Sequence, residues 1–335
     1  MRAIIHEAYG AAHDVLTLRE VQKPVPGDSE VLIRVKAASM HADVWHVVEG
    51  VPYVIRLGNG VRRPKRPIPG TDLAGIVEAT GANVKRLRCG DAVFGEIVKF
   101  GWLNGGAYAE YAVVPEEFLV LKPDNITFEQ AAAVPAAGII ALSNIRLGNK
   151  AGQKAVINGA GGATGMLAIQ ILKAQGAHVT AIDSAGRLPL MTAAGADRVV
   201  DYAKEDYLCG TERYDFVLDI AAVLRPTEYK HVLTSTGQYV PIGHAHYGHA
   251  SRFNGRVFGS LPYFIGLLLR TLLDPRKRKA FKILSKLQLM TELKTLLESG
   301  KLTPVVAKTY PLEDVAQAMR DMQAGKTLGR MIITP

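Results

Sequence analysis

Apolar and polar positions alternate regularly through the middle of the chain, beginning at the short β-branched run Ala155–Asn158. This run stops in a glycine-rich stretch, Gly159–Gly165, which leads directly into Met166–Ala174, where apolar residues recur at helical spacing. The pattern predicts a buried strand, a tight turn and a helix in immediate succession.

Further strand-like runs follow, at intervals that leave room for a helix between them. They are Ala177–Asp183, Asp197–Asp201, Tyr214–Asp219 and Gly237–Gly243. Strands that alternate with helices predict a parallel, doubly wound sheet, so the expected fold class of this region is α/β.

The residues before this region are β-rich. Short alternating runs separated by Pro and Gly turns predict a partly open barrel, with strands at Val31–Lys36, Asp72–Glu78, Asp91–Gly95 and Tyr108–Val114. Helical patterning starts at Thr127, a plausible N-cap with Gln130 three positions later.

These changes of pattern predict two domains, a β-rich domain over 1–122 and a nucleotide-binding domain over 123–260. Beyond them the sequence predicts helices at 261–273, 278–299 and 312–324, followed by a closing strand, Gly329–Thr334. That strand has no partner nearby in the sequence, so we expect 261–335 to return to the N-terminal domain.

The composition is that of an ordinary soluble enzyme, with 335 residues, 48% hydrophobic and 21% charged. Two cysteines, Cys89 and Cys209, cannot build a disulfide framework, and no secretion signal is visible, so a cytoplasmic location is expected. The net charge of +9 comes from scattered residues apart from two clusters, Arg62–Arg66 and Arg276–Lys279. For each cluster a solvated basic loop is favoured over a polyanion or lipid contact.

The segment Leu261–Leu273 is the most hydrophobic in the chain. It falls short of the roughly 20 residues that span a bilayer. A helix that packs over the active-site cleft or a subunit interface is favoured. A weak peripheral membrane contact, helped by Arg276–Lys279, is the alternative.

The glycine-rich turn predicts a dinucleotide site. Gly159, Gly162 and Gly165 allow a sharp reversal, a close approach of backbone N–H groups to a pyrophosphate, and close packing of the helix on the sheet. Asp183 ends the next strand about 20 residues later, where a ribose hydroxyl would lie.

Several motifs together resemble the medium-chain dehydrogenase/reductase superfamily, in particular its zinc-free quinone oxidoreductase (zeta-crystallin-like) branch. They are Pro69–Val77, Gly90–Gly95, Gly105–Tyr111, Ala131–Pro135, Asn158–Gly165, Gly195–Asp197 and Gly300–Pro304. The resemblance implies a GroES-like β-rich catalytic domain beside a Rossmann doubly wound parallel sheet, and a homodimer.

Zinc alcohol dehydrogenases of the same superfamily bind catalytic zinc through a cysteine and a His–Glu pair. Here the corresponding places are Ser39–His41 and Gly70–Asp72, so no zinc is expected. His244, His246 and His249 have ligand-like spacing, but a solvated or cofactor-edge loop is favoured over a metal site there.

The resemblance implies a nicotinamide cofactor, NADH or NADPH. The carboxylate of Asp183 favours NADH slightly, whereas Ser184 and Arg187 would hold the 2′-phosphate of NADPH if Asp183 turned away. The expected cofactor-binding residues are Gly159, Ala160, Gly161, Gly162, Ala163, Thr164, Gly165, Asp183, Ser184, Arg187, Pro241, Ile242 and Gly243.

Two side chains are candidates for acid–base work. Tyr53 lies in the region where related enoyl reductases use a tyrosine, and its phenol can donate to an enolate, although a lid or packing role is the alternative. His41 stands where relatives often have Asn and is expected either to polarise the substrate carbonyl or to be structural. Trp45 is expected to line the substrate pocket or to pack in the core.

The sequence thus predicts a zinc-independent NAD(P)H-dependent oxidoreductase that reduces a small apolar quinone or α,β-unsaturated carbonyl compound. The alternatives are an alcohol dehydrogenase and a low-turnover dinucleotide-binding protein with a peripheral membrane or RNA-binding role. No specific nucleic acid is expected as a partner.

Overall fold

A computed structural model describes residues 1–98, 103–148, 152–223, 226–243, 255–259, 261–262, 265–266, 269, 284–326 and 328–335. The three histidines His244, His246 and His249, the basic cluster Arg276–Lys279 and most of Leu261–Leu273 lie outside these residues. Within the described part of the chain, no helix combines the length and the apolar character that crossing a membrane requires.

The chain divides into two compact units, one of Met1–Ile139 with Lys286–Pro335 and one of Ile140–Ser285. The strands are β1 (Arg2–Ile5), β2 (Thr17–Glu20), β3 (Glu30–Met40), β4 (Asp72–Thr80), β5 (Ala92–Glu96), β6 (Tyr111–Pro115), β7 (Leu119–Leu121), β8 (Lys154–Asn158), β9 (His178–Asp183), β10 (Arg198–Asp201), β11 (Tyr214–Asp219), β12 (Leu233–Pro241), β13 (Val306–Pro311) and β14 (Arg330–Thr334). The helices are α1 (Ala12–Val15), α2 (Ala42–Glu49), α3 (Arg56–Asn59), α4 (Phe128–Ala132), α5 (Pro135–Gly148), α6 (Ala163–Ala174), α7 (Leu188–Ala193), α8 (Lys286–Glu298) and α9 (Val315–Gln323).

The first unit is built on a seven-stranded sheet in the order β13-β14-β3-β4-β5-β7, with β6 also paired to β3. The predicted closing strand is confirmed as β14, which pairs antiparallel with the end of β3 through Met331 and Met40. Apolar residues of β3, β4, β5 and β14 form a common core with α9. The C-terminal strand therefore supports the chain segment around Met40.

One predicted strand of this unit is shorter than expected, because β6 begins at Tyr111 rather than Tyr108. The Tyr108 side chain is fully buried, and its hydroxyl donates to the backbone oxygen of Ser39 at 3.0 Å. This long-range contact fixes Tyr108 outside the strand ladder, and the alternation of apolar residues gave no sign of it.

The second unit contains a parallel five-stranded sheet in the order β10-β9-β8-β11-β12. The residues of β8 after Lys154 are buried, as expected for a parallel strand covered on both faces. Chain order reverses between β8 and β11, so the carboxyl ends of these two strands form the switch point at which α/β sheets bind ligands. The glycine turn follows the end of β8, and Asp219 is the last residue of β11.

Helix α4 shows how local sequence determines an element boundary. Thr127 accepts a hydrogen bond from the backbone N–H of Gln130 at 3.2 Å, and the Gln130 side chain accepts from the backbone N–H of Thr127 at 3.0 Å. This capping box was predicted from the spacing of the two residues and is confirmed.

Candidate active site

The turn after β8 has backbone geometry that glycine alone adopts easily. Gly159 has a φ of +81°, and its N–H and that of Ala160 both donate to the carbonyl of Ile182 at 3.0 Å. A Cβ atom on Gly159 would lie 3.0 Å from the backbone nitrogen of Ala221. The turn is therefore held against the ends of β9 and β11 by the backbone itself.

Close packing also requires glycine at two later positions. A Cβ on Gly161 would lie 2.5 Å from Cδ of Arg187, and a Cβ on Gly165 would lie 2.4 Å from the backbone oxygen of Ala160. The side chain of Arg187 thus covers the turn, and the start of α6 packs directly on the turn backbone. A bulkier residue at either position would displace one of these neighbours.

Helix α6 begins immediately after this turn, with Gly162 as its N-cap and no side chain bonded to the cap. Ala163 and Thr164 belong to its first turn, whose N–H groups have no partner within the helix. Unsatisfied N–H groups and the positive end of the helix dipole together fit a pyrophosphate. The glycine cradle and the uncapped helix start thus suit a dinucleotide.

Asp183 ends β9 and turns its carboxylate back onto the glycine turn. Its Oδ2 accepts the backbone N–H of Gly161 at 2.9 Å, while Oδ1 accepts the backbone N–H of Ser184 at 2.8 Å. The guanidinium Nε of Arg187 lies 3.6 Å from Oδ1. The structure therefore brings together the acid, the hydroxyl and the cation that the sequence assigned to the adenosine ribose.

The end of β12 reaches the same switch point. The N–H of Ile242, the residue after Pro241, donates to the backbone oxygen of Asp219 at 2.8 Å. A Cβ on Gly243 would lie 1.7 Å from the backbone oxygen of Ile220, so only glycine fits there. Segments 158–165 and 241–243 hence both contact the backbone at 219–221.

A buried polar network lies under this switch point, and sequence reasoning missed it. The carboxylate of Asp219 accepts from Asn158 Nδ2 at 2.9 Å, Tyr239 Oη at 2.8 Å and the backbone N–H of Ala222 at 2.8 Å. Burial raises the pKa of Tyr229, which accepts from Asn158 at 3.2 Å. The sequence signal that could have revealed this network is the polar residue at the end of each of two neighbouring parallel strands, Asn158 in β8 and Asp219 in β11.

The first unit holds a second cluster around His41. His41 is 8% exposed, and its Nε2 lies 2.5 Å from Oγ1 of Thr71. Next to Thr71, the fully buried Asp72 accepts from Ser39 Oγ at 3.1 Å and from the backbone N–H of Ala136 at 3.1 Å. This carboxylate joins β3, β4 and the first turn of α5.

Burial lowers the pKa of His41, opposed by the negative charges of Asp72 and Asp43. The guanidinium of Arg330, also buried, lowers it further and donates to the backbone oxygen of Met40 at 3.2 Å. His41 is consequently a neutral imidazole near pH 7, with one nitrogen that donates and one that accepts.

Glu96 lies directly opposite Asp72 across the β4–β5 pair. Burial and the charge of Asp72 raise the pKa of Glu96 to about 7, although Lys286 Nζ stands 2.6 Å from its carboxylate. Lys286 also donates to the backbone oxygen of Val98. This pairing could not be predicted from sequence spacing, because the lysine comes from α8, far along the chain.

Of the two predicted catalytic residues, Tyr53 lies at the surface and His41 in the interior. Tyr53 is 41% exposed, and its ring lies 4.7 Å from the guanidinium of Arg56, while His41 contacts Thr71 in the interior. Trp45 is half-buried against the core of the first unit and stacks on His46 with ring centroids 4.7 Å apart. In the part of the chain that the structure describes, no hydrogen bond joins Tyr53 to His41.

The residues at the zinc-equivalent positions are bonded to one another. Ser39 donates to Asp72, and His41 is paired with Thr71, so a metal ion would have to break these contacts. Among the described residues, no group of three or more His, Cys, Asp or Glu side chains is arranged to hold a metal ion. This donor set does not fit a catalytic zinc.

Family comparisons match two stretches of the chain, the first within the first unit and the second running from β10 of the second unit to β14 of the first. The model of the alcohol dehydrogenase GroES-like domain matches residues 27–124, and that of the zinc-binding dehydrogenase family matches residues 194–333. The β-rich first unit and the parallel sheet of the second thus correspond to a GroES-like domain and a Rossmann domain.

Individual proteins are similar along the whole chain. The chloroplastic NADPH-dependent alkenal/one oxidoreductase of Arabidopsis thaliana is 31% identical, over 100% of this chain and 80% of its own length. The quinone oxidoreductase of Sus scrofa is 30% identical, over 99% of this chain and 97% of its own. The solved structure of the quinone oxidoreductase from Coxiella burnetii has the same fold, with a TM-score of 0.80 at 24% identity over 100% of this chain and 99% of that one.

Proposed function

The chain belongs to the medium-chain dehydrogenase/reductase superfamily, in its quinone oxidoreductase branch, and we propose that it reduces a small apolar quinone or α,β-unsaturated carbonyl compound with a nicotinamide cofactor. The observation that carries this proposal is the cradle formed by Gly159–Gly165 with the uncapped start of α6. Relatives named as quinone and alkenal/one oxidoreductases support the substrate class.

A bound reduced nicotinamide would supply the hydride that such a reduction needs. The protein's own residues would hold the cofactor and provide a proton for the enolate or phenolate that forms. Backbone N–H groups of Gly162, Ala163 and Thr164 would bind the pyrophosphate, and Asp183 would accept from a ribose hydroxyl.

Two residues share the acid–base roles in this proposal. The phenol of Tyr53 would give the proton, because the side chain is exposed and a phenolic O–H can donate without first being deprotonated. Neutral His41 would polarise the substrate oxygen by donating a hydrogen bond from Nδ1, which requires Nε2 to accept the hydroxyl proton of Thr71 in place of the longer 3.4 Å contact of that hydroxyl with Asp72. Trp45 would provide an apolar wall of the substrate site.

For the cofactor we propose NADH over NADPH. A 2′-phosphate would meet the charge of the Asp183 carboxylate, which is held towards the turn by Gly161 and Ser184. The guanidinium of Arg187, which would have to bind that phosphate, already pairs with the Asp183 carboxylate. The Arabidopsis relative is named as NADPH-dependent, and dissociation constants for NADH and NADPH decide between the two cofactors.

We further propose that the reaction needs no zinc, because Ser39, His41 and Asp72 are bonded within the protein. The same bonds weigh against the alcohol dehydrogenase alternative. A homodimer and a cytoplasmic location stay predictions, which size-exclusion chromatography with light scattering and fractionation of the source cells would test.

The experiment that tests the proposed function is a titration of the purified protein with NADH and with NADPH, followed by cofactor fluorescence. Saturable binding of one cofactor, and its oxidation in the presence of a quinone or enone panel, is the expected result. Binding of neither would overturn the proposal. Binding without oxidation across the panel would instead favour the low-turnover binding protein.

A further inference from the structure

The stretch between Gly50 and Thr71 contains no acidic residue but five basic ones, Arg56, Arg62, Arg63, Lys65 and Arg66. The last four are exposed. Among the residues that the structure describes, none of these four forms an ion pair with a carboxylate. A dense set of uncompensated cations on one loop produces a local positive potential that attracts an anionic partner.

The same loop exposes apolar side chains. Tyr53, Leu57 and Val61 are 41%, 72% and 66% exposed. Tyr53 lies in the 3-10 turn 53–55 and Leu57 in α3, which follows it directly. Single exposed apolar residues are common, but three of them within nine positions, beside four cations, form an amphipathic surface. We call residues 53–66 the basic loop.

Hydrogen bonds from Tyr9 and Asn104, and one within the loop itself, hold the basic loop in place. Tyr9 Oη donates to the backbone oxygen of Gly60 at 2.6 Å, and the N–H of Lys65 donates to the backbone oxygen of Asn59 at 2.6 Å. The Asn104 amide donates to the backbone oxygen of Arg66 at 2.5 Å. These contacts use backbone atoms of the loop and leave the exposed side chains available for a partner.

We propose that the basic loop docks on an anionic membrane surface, with its cations in the headgroup layer and Leu57 and Val61 inserted at the boundary of the acyl chains. Clustered Lys and Arg residues near anionic lipid are attracted to its surface potential, and exposed aliphatic side chains gain from leaving water. This docking does not depend on the proposed reduction, since it requires neither cofactor nor substrate.

Other occupants fit the surface less well. A nucleic acid would be held by the cations, but the two most exposed apolar side chains, Leu57 and Val61, are aliphatic. The ring of Tyr53, on which a base could stack, already lies 4.7 Å from the Arg56 guanidinium. A second copy of the same loop would bring like charges together. An anionic lipid surface uses both the cations and the aliphatic side chains.

The test is co-sedimentation of the intact protein with vesicles of phosphatidylcholine alone or mixed with phosphatidylserine. We expect binding to the mixed vesicles to be at least about tenfold tighter and to weaken as salt is raised. Neutralising the four exposed cations with Gln should reduce it about tenfold or more, and Leu57→Ser with Val61→Ser should reduce it about threefold while preserving the salt dependence.

A matched variant controls for net charge, since it loses four exposed lysines elsewhere and should bind like the wild type. Its substitutions are Lys204→Gln, Lys230→Gln, Lys301→Gln and Lys326→Gln. Unchanged cofactor titration and melting temperature would show that each variant is folded.

Equal losses in the basic-loop and control variants would overturn the proposal, as would no preference for phosphatidylserine. Loss of binding only when Arg276–Lys279 are neutralised would assign the contact to that cluster instead. Binding of a labelled RNA that depends on the four cations, without vesicle binding, would identify a nucleic-acid surface and also overturn it.

Discussion

The carboxylate of Asp72 accepts a hydrogen bond from the backbone N–H of Ala136 at 3.1 Å, which places a buried negative charge at the start of α5. A carboxylate at a helix N-terminus satisfies an otherwise unpaired N–H and interacts favourably with the helix dipole. Because Asp72 Oδ2 also accepts from Ser39, one carboxylate orients both the end of β3 and the first turn of α5.

Replacing this carboxylate should be costly. We expect Asp72→Ala to lower the free energy of unfolding by about 3 kcal/mol, since it leaves two buried donors unpaired and removes the charge that most favours the protonated form of buried Arg330. Urea denaturation would measure the loss. Asp124→Asn, a substitution at an exposed position, should change stability by less than about 0.5 kcal/mol. Similar values for both variants would contradict the assigned role of Asp72.

The glycine cradle predicts a steep dependence on side-chain size. Gly165→Ala would place a Cβ 2.4 Å from the backbone oxygen of Ala160, so we expect it to weaken cofactor binding by at least about tenfold. Gly186→Ala is the matched control, because nothing lies within 4 Å of its added Cβ. Fluorescence titration of both variants gives the comparison, and equal affinity for Gly165→Ala and wild type would be evidence against the packing described.

Cofactor preference should reverse when the acid at the end of β9 is removed. We expect Asp183→Ser to weaken NADH binding about tenfold and to strengthen NADPH binding by a similar factor, because Arg187 then lacks its carboxylate partner. Dissociation constants for both cofactors are the measurement. The double variant with Arg187→Gln should show no gain for NADPH; a gain in that variant would mean that another cation binds the phosphate.

The two acid–base candidates predict different kinetic losses. Tyr53→Phe should lower kcat about 100-fold if its phenol donates the proton, with cofactor affinity unchanged. His41→Gln should lower kcat about tenfold, since a side-chain amide can still donate to the substrate oxygen. Steady-state kinetics with an enone would separate them. Tyr202→Phe, at an exposed tyrosine of the second unit, serves as the control, and a wild-type kcat in Tyr53→Phe would return Tyr53 to a lid or packing role.

Glu96 predicts a pH dependence of stability. Its folded pKa of about 7 lies above the ordinary value of 4.5, so protonation favours the folded state. The resulting stabilisation is complete below pH 4.5 and disappears as the pH rises through 7. Relative to Glu96→Gln, the wild type should therefore lose roughly 1–3 kcal/mol of unfolding free energy between about pH 5 and pH 8. Urea denaturation of both proteins at each pH would measure this difference. An unfolding free energy that changes with pH by the same amount in the wild type and in Glu96→Gln would disprove the prediction.

The strand, glycine turn and helix around Gly159 could be predicted because their determinants are local. Gly159, the helix pattern after it and Asp183 about 20 residues later lie within one strand–helix–strand unit, and short-range spacing carries the information. The capping box at Thr127 was predictable for the same reason. Each of these features depends on residues that are neighbours in sequence as well as in space.

The cluster in the first unit could not be predicted, because its members meet only through tertiary pairing. Glu96 faces Asp72 by strand register, Lys286 arrives with α8, and Arg330 arrives with β14. Burial, which determines the protonation of His41 and Glu96, is likewise a property of the assembled sheet. Sequence spacing could nominate His41 as a candidate but could not identify these surroundings.

The pairing of β14 with β3 has a consequence for synthesis of the protein on the ribosome. Arg330 lies 290 positions after Met40, the residue whose backbone oxygen it binds, so the first unit lacks this strand until nearly the whole chain has been translated. The 140–285 unit does not depend on a distant strand, because its five strands, β8 to β12, follow one another along the chain. The nascent chain would therefore complete its parallel-sheet unit first, and an unfinished first unit would expose the end of β3 to chaperones in the meantime.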